Sequence, residues 1–279
     1  MERAGQRQRE PSVDFGDDGS AERQFNRNTF TRVVVRAGDG NDKVRVDEIN
    51  GRFVEELVTL DGGQGDDTLD AGAGVDVLVG GTGNDTVDGA QSNDTVDLGS
   101  GQDTFTWSPG DANDTIEGQA GSDTVEFTGS DVAEVLRLSA DGARSTLVRN
   151  IADVTLDMNA VERVDLATLG GIDTVTIGNM SGTTVRRAVV DLSNSIGARD
   201  GQPDTVTVSG IVDGSQAAIA AVEGRIELQG LRTSVGVAGS DTIDLLDVTA
   251  RGGPQADVAD IMDVELTLTQ SGFSHGDGS

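Results

Sequence analysis

From residue 62 apolar and polar positions recur on a fixed period. The chain divides without gaps into the nine-residue units GGQGDDTLD, AGAGVDVLV, GGTGNDTVD, GAQSNDTVD and LGSGQDTFT. The eighth position of each unit is apolar (Leu69, Leu78, Val87, Val96, Phe105), the sixth is always aspartate, and glycine dominates the second and fourth. Such a unit predicts six turn residues followed by three strand residues, so two units reverse direction twice and close one flat coil. Stacked coils place parallel strands ~4.8 Å apart, with the eighth-position side chains pointing inward as a thin core. The fold class expected is all-β: a right-handed parallel β-roll continuing as a β-solenoid.

The period is kept with interruptions on both sides. After Phe105 the phase shifts by two at WSPGDANDTIE (107–117), and GQAGSDTVE (118–126) restores the spacing, with Asp114 and Asp123 at the sixth position. An earlier copy, AGDGNDKVR (37–45), carries Asp42, and a more apolar insertion near 46–61 reads as a longer coil or a small hairpin. Beyond residue 127 only the grammar survives. GGIDTVTI, GQPDTVTV and AGSDTIDL run from a glycine turn through Asp-Thr into β-branched residues, and STLVRN, ADVTLDM, RRAVVDL and GRIELQG alternate like strands. SQAAIAAVEG is the one helix candidate. The expected organisation is a disordered or loosely attached segment at 1–30, a roll at 31–126, an irregular solenoid region at 127–270 and a flexible tail at 271–279.

The repeat has a consequence for its aspartates. Units two apart stack on the same edge, so Asp67, Asp85 and Asp103 line one side of the roll and Asp76 and Asp94 the other. Carboxylates ~5 Å apart repel by roughly 0.8 kcal/mol per pair even at the dielectric of water, so each row opposes its own stacking. A cation between stacked turns reverses that sign. The ligands on offer are all oxygen, carboxylates plus peptide carbonyls on a flexible backbone, which suits Ca²⁺ better than Mg²⁺, which retains water, or Zn²⁺, which favours nitrogen and sulfur. Binding is then coupled to folding, because the sites exist only when the coils are stacked.

Composition narrows the alternatives. The formal net charge is −29, with Asp outnumbering Glu by 36 to 13, and the basic residues are scattered, which excludes a nucleic-acid groove. There is no cysteine, and the single histidine, His275, lies in the C-terminal tail, so thiol, zinc–cysteine and imidazole-base chemistry have no footing in the repeat. No run approaches ~20 apolar residues, so no membrane span is expected. The basic first ten residues are not followed by an apolar run, so a cleavable secretory signal is not expected and the chain is either a fragment or exported by another signal.

The units match the Gly-Gly-x-Gly-x-Asp-x-apolar-x pattern and so resemble the repeats-in-toxin, or haemolysin-type calcium-binding, family, over residues 62–126 and the copy at 37–45. The stretches from 101 to 130 and from 150 to 182 further resemble multi-repeat bacterial calcium-binding proteins. The resemblance implies a parallel β-roll with several Ca²⁺ ions held by Asp67, Asp76, Asp85, Asp94 and Asp103. It also implies carbonyl ligands from Gly63, Gly65, Gly72, Gly74, Gly81, Gly83, Gly99 and Gly101, with Asp42, Asp114 and Asp123 keeping the pattern. Departures fall at Ala90 and Ser92, which replace second- and fourth-position glycines, and at Val75 in a fifth position that is usually polar.

The isolated Asp173, Asp204 and Asp241 are read instead as turn residues that cap by side-chain hydrogen bonds without metal. Trp107 with Phe105 is read as a cover over a coil rather than a sugar-stacking platform. The function expected is calcium binding that drives folding, in an extracellular or cell-surface protein of structural or adhesive type with a surface or polysaccharide partner. The alternative is a calcium-dependent polysaccharide lyase, epimerase or hydrolase using Arg186, Arg187, Asp191 and Asp173, but no motif fixes those residues in one place and no aromatic floor for sugar is evident.

Overall fold

The computed structural model describes residues 30–48, 52–211, 218–222 and 225–251, together with the backbone of the strands Ser12–Val13, Arg23–Gln24, Asp257–Val258 and Glu265–Gln270. Ser12–Val13 and Arg23–Gln24 pair antiparallel. Apart from them, the readings made for residues 1–29, the tail 271–279 and His275 lie outside the described residues.

The nine-residue units fold as short strands that alternate between two sheets. Sheet 1 takes Arg32–Asp39, Leu57–Gln64, Val77–Thr82, Thr95–Gly101 and Thr115–Glu117, all parallel. Sheet 2 takes Lys43–Arg45, Thr68–Asp70, Thr86–Asp88, Thr104–Trp107 and Thr124–Thr128, also parallel. The chain passes from one sheet to the other at every glycine turn, which makes this part a parallel β-roll. Among the described residues the only helical element is the 3₁₀ turn Ile151–Asp153.

The reason for this register is the eighth position. Leu69, Leu78, Val87, Val96 and Phe105 are all buried between the sheets, while their neighbours, threonine or aspartate except for Val77 and Val79 beside Leu78, face outward. Each such burial contributes about 1.5–3 kcal/mol, so a slip by one residue would exchange core for solvent along the whole stack. At Thr104–Trp107 the strand lengthens and the core widens. The Trp107 ring stacks on Phe127 with centroids 4.4 Å apart and planes 8° from parallel, and its indole N–H donates to the Ala112 carbonyl at 3.0 Å. Trp107 is thus buried as a cover, not exposed as a platform.

Two departures from the plain coil shape the rest. After Thr124–Thr128 the chain enters sheet 1 at Val135–Asp141, turns back through Arg144–Arg149, and only then fills the place beside Thr115–Glu117 with Val154–Asn159. Sheet 1 thereby gains an antiparallel meander. Parallel stacking resumes from Arg163–Ala167 in sheet 2 and Thr174–Ile177 in sheet 1, and continues through Arg187–Asp191 and Thr205–Ile211.

The same device then appears in sheet 2. Ala218–Val222 pairs antiparallel with Arg225–Gln229, which pairs antiparallel with Ser234–Ala238 beside Arg187–Asp191. Leu245–Arg251 follows beside Thr205–Ile211. The helix expected at SQAAIAAVEG is therefore overturned where it is described: Ala218–Val222 is a strand. Its alanines favour a helix, but the buried Ile219 and the partner strand's Ile226 and Leu228 offer a core face on a period of two.

Candidate metal centre

The turns of the roll stack into two edges. The first edge joins sheet 1 to sheet 2 and carries Asp42, Asp67, Asp85, Asp103 and Asp123. The second joins sheet 2 to sheet 1 and carries Asp76, Asp94 and Asp114. On the first edge each aspartate's backbone N–H donates to Oδ1 of the aspartate on the next coil: Asp42 to Asp67 (2.8 Å), Asp67 to Asp85 (2.8 Å), Asp85 to Asp103 (2.8 Å) and Asp103 to Asp123 (3.0 Å). The row ends where the Asp123 N–H donates to Glu162 Oε2. On the second edge Val58 donates to Asp76, Asp76 to Asp94 and Asp94 to Asp114.

The two-residue insertion ahead of Asp114 does not break these rows. Ser108–Asp111 absorbs it in a small loop, closed by the Ser108 N–H on Asp111 Oδ2 and by the Pro109–Asp111 bridge, so the step from Asp94 to Asp114 is 20 residues and the ladder keeps its register. Likewise, the step from Asp42 to Asp67 is 25 residues against 18 between Asp67 and Asp85, the surplus lying in the loop before Leu57.

The other carboxylate oxygen is what makes these turns unusual. Oδ2 of Asp42, Asp67, Asp76, Asp85, Asp94, Asp103, Asp114 and Asp123 is buried and has no hydrogen-bond partner. Buried polar atoms are nearly always paired, and leaving one unpaired costs about 1–3 kcal/mol, more for a charged group. Along each edge such atoms, one per coil, form a column of unsatisfied oxygen donors. Burial pushes these carboxyls up: Asp76, Asp85 and Asp123 to about 6, Asp114 to about 7 and Asp94 to about 9, with neighbouring carboxylates adding to the rise and the backbone N–H bonds opposing it.

Main-chain oxygen gathers along the first edge. The carbonyls of Gly63 and Gly81 point onto Gly81 and Gly99 of the following coil so closely that a Cβ there would lie 2.1 Å from the oxygen. Gly65, Gly83 and Gly101 repeat the arrangement two residues later. Among the described residues no three acidic or histidine side chains converge on one point, so a cation at these turns needs carbonyl oxygen as well as carboxylate. The donor set is all oxygen and fits a hard cation.

The two edges are not equal. On the second, the places of glycine are held by Ala90 at φ 58° and Ser92 at φ 84°, so the left-handed backbone persists with side chains that disfavour it. There the Gly72 carbonyl accepts the Gln91 N–H at 2.9 Å, and Val75 is exposed. The spacing also leaves one role unread, that of the first position: a Cβ on Gly62 or Gly80 would lie 2.5 or 2.6 Å from Oδ2 of Asp67 or Asp85. Where the first position is glycine, it is the floor against which the unpaired oxygen rests; Ala71 and Leu98 hold that position ahead of Asp76 and Asp103.

Residues 58–78, 71–105 and 110–129 match the RTX calcium-binding nonapeptide repeat, a family described by four copies. This segment is an RTX repeat array. RTX arrays bind several Ca²⁺ ions and form parallel β-rolls, in agreement with the stacked coils and all-oxygen edges seen here. The chain has no match among curated proteins. No helix among the described residues is long and apolar enough to cross a membrane.

The residues expected for polysaccharide chemistry, which lie outside the RTX segment, are not brought together by the solenoid. Arg187 forms a two-pronged pair with Glu227 at 2.8 and 3.0 Å, and the Arg186 guanidinium sits on the Thr183 carbonyl. Asp191 caps the Ser193 N–H, while Asp173 lies in a turn ahead of the other sheet. Asp173 and Asp204, read as simple turn residues, accept N–H bonds on Oδ1 just as the array aspartates do. Asp241 is displaced from that role: Asp244, three residues on, accepts the Asp204 N–H at 2.9 Å.

Proposed function

We propose that the RTX array holds Ca²⁺ between stacked turns through Asp67, Asp85 and Asp103 on one edge and Asp76 and Asp94 on the other. Asp42, Asp114 and Asp123 extend the rows, and the carbonyls of Gly63, Gly65, Gly72, Gly74, Gly81, Gly83, Gly99 and Gly101 contribute the remaining oxygens. The observation that carries this reading is the column of buried Oδ2 atoms without partners. Left ionised and uncompensated, the column opposes the stacking of the coils that create it; a divalent ion converts each repulsion into two attractions. The ion therefore acts on folding, and the array is a segment that becomes a rigid rod where calcium is abundant.

We further infer a structural or adhesive role outside the cell. A net charge of −29 leaves a calcium-free chain self-repelling in the low calcium of a cytosol and lets it order where calcium is high. The outward faces of both sheets, rich in threonine and aspartate, are then available to a surface or polysaccharide partner. The deciding experiment is a far-UV circular dichroism titration of the EDTA-treated chain with Ca²⁺ and, in parallel, Mg²⁺. A cooperative gain of β signal with Ca²⁺ alone is expected. The same response to both ions, or to neither, overturns the proposal.

A further inference from the structure

The second edge does not end with the array. Beyond the meander in sheet 1, strand pairing sets Val135 beside Thr174, Thr174 beside Thr205 and Thr205 beside Leu245. The residues just before these strands therefore form one column: Glu134, Asp173, Asp204 and Asp244. The Glu134 N–H donates to Asp173 Oδ1 at 2.8 Å, Asp173 to Asp204 at 2.8 Å and Asp204 to Asp244 at 2.9 Å. Oε2 of Glu134 and Oδ2 of Asp173 and Asp204 are unpartnered, in side chains of residues only 1%, 1% and 2% exposed.

From this geometry we propose that Asp173 and Asp204 form a further cation row for a hard divalent ion, Ca²⁺ by its oxygen chemistry, lying outside the residues that match the RTX repeat. The turn before Asp173 supports it. Leu169 at φ 70° and Gly171 at φ 123° stand where the second and fourth positions of a unit would be. A Cβ on Gly171 would lie 2.5 Å from the Val132 carbonyl carbon, so main chain meets main chain there as in the array. The row starts at a carboxylate whose charge is already balanced, because Arg149 and Ser130 both bind Glu134 Oε1.

The first edge is the contrast. In its register after Glu162 stand Arg186 and Thr233, and those turns close through the Arg186 guanidinium on the Thr183 carbonyl and the Thr233 hydroxyl on the Val185 carbonyl. Turns of this solenoid thus close without an acid. A column of carboxylates kept on one edge, with buried unpaired oxygens at Glu134, Asp173 and Asp204 and closed at Asp244, whose Oδ2 accepts the Asp241 N–H, is not a demand of the fold.

The proposal rests on the reading that such columns in the array hold calcium, and the test separates the two. Bound Ca²⁺ per chain is counted by equilibrium dialysis for the parent, for D173N/D204N and for D85N/D103N. Asparagine keeps the Oδ1 acceptor and removes the charge. D173N/D204N is expected to lose at least one ion while keeping those lost in D85N/D103N. An unchanged count in D173N/D204N beside a reduced one in D85N/D103N overturns this row and leaves the array reading standing; a parent that binds no Ca²⁺ overturns both. A measurement on the parent alone guards against misfolding of a variant: Mn²⁺ exchanged into the calcium-loaded chain is expected to broaden the amide signals of Thr174 and Thr205. Sharp signals there beside broadened ones in the array also overturn the row.

Discussion

At the scale of the residue, one aspartate carries two opposed demands. Oδ1 of Asp85 fixes the coil before it through the Asp67 N–H, while Oδ2 rests against Gly80 with nothing to satisfy it. Without metal, protons are its substitute. Folded-state values near 6 for Asp76, Asp85 and Asp123, about 7 for Asp114 and about 9 for Asp94 lie above the unfolded value. The calcium-free folded chain then binds more protons than the unfolded one between ~3.9 and these values, so its stability is lost as pH rises through them and regained as pH falls. Acidifying the EDTA-treated chain from about pH 8 to about pH 5 should raise its β signal, whereas in limiting Ca²⁺ the same change should weaken calcium affinity. A flat dichroism profile without calcium would contradict the burial of these carboxyls. Glycine is tested separately. Gly81→Ala places a Cβ 2.1 Å from the Gly63 carbonyl at φ 114°, whereas Gly110→Ala at φ 123° has nothing within 4 Å. Urea unfolding in saturating Ca²⁺ should show a cost of about 3 kcal/mol or more for the first and about 1–2 kcal/mol for the second, since only the first adds a clash to the strain.

At the scale of the element, the meander Val135–Asn159 is where the regular coil is abandoned, and its anchor is ionic. Arg149, packed 5.3 Å from the Trp107 ring centroid, pairs with Glu134, and both side chains are almost fully buried. Removing one partner of such a pair typically costs about 3–5 kcal/mol, because the other charge is left stranded. Arg149→Met should therefore destabilise strongly, and adding Glu134→Gln should recover part of the loss. The fluorescence of Trp107, the single tryptophan, reports both in urea titrations. The array could be read before any coordinates because five consecutive units keep one phase, and each apolar eighth residue can serve only one core. The meanders could not. STLVRN and GRIELQG alternate as strands should, but alternation says which face is buried and not which neighbour is paired. Asp241 illustrates the limit: Asp-Thr-Ile looks like the start of a strand, yet Ile243 is 53% exposed and the strand begins after Asp244, with Leu246 inward. The unpaired Oδ2 atoms were foreshadowed by the aspartate spacing, whereas the glycine floor beneath those of Asp67, Asp85 and Asp94 was not, because it needs the distance between positions one and six.

At the scale of the whole molecule, the two meanders lie in opposite sheets, sheet 1 at Val135–Asn159 and sheet 2 at Ala218–Ala238. Each adds two strands to one face only, about 9.6 Å at the usual spacing, and the second restores on one face what the first added to the other. Stacking can continue past both because the mismatch is cancelled. If the array orders only as its charge is compensated, as proposed, its dimensions should depend on the ion and not on ionic strength alone. Small-angle scattering should show the radius of gyration falling on addition of Ca²⁺ to the EDTA-treated chain, and much less on adding NaCl of equal ionic strength. Equal compaction by both would mean that general screening suffices. The first meander also sets a distance. Three strand steps separate Thr115–Glu117 from Val135–Asp141 along sheet 1, about 14 Å, while the field of a charge in physiological salt fades over about 8 Å. Direct repulsion across that gap is weak compared with that between adjacent coils, so whatever one group of carboxylates conveys to the other passes through the stacking of the strands between them. If both rows hold cations, the meander is a clutch between them: one row reports to the other as order in the strands rather than as charge.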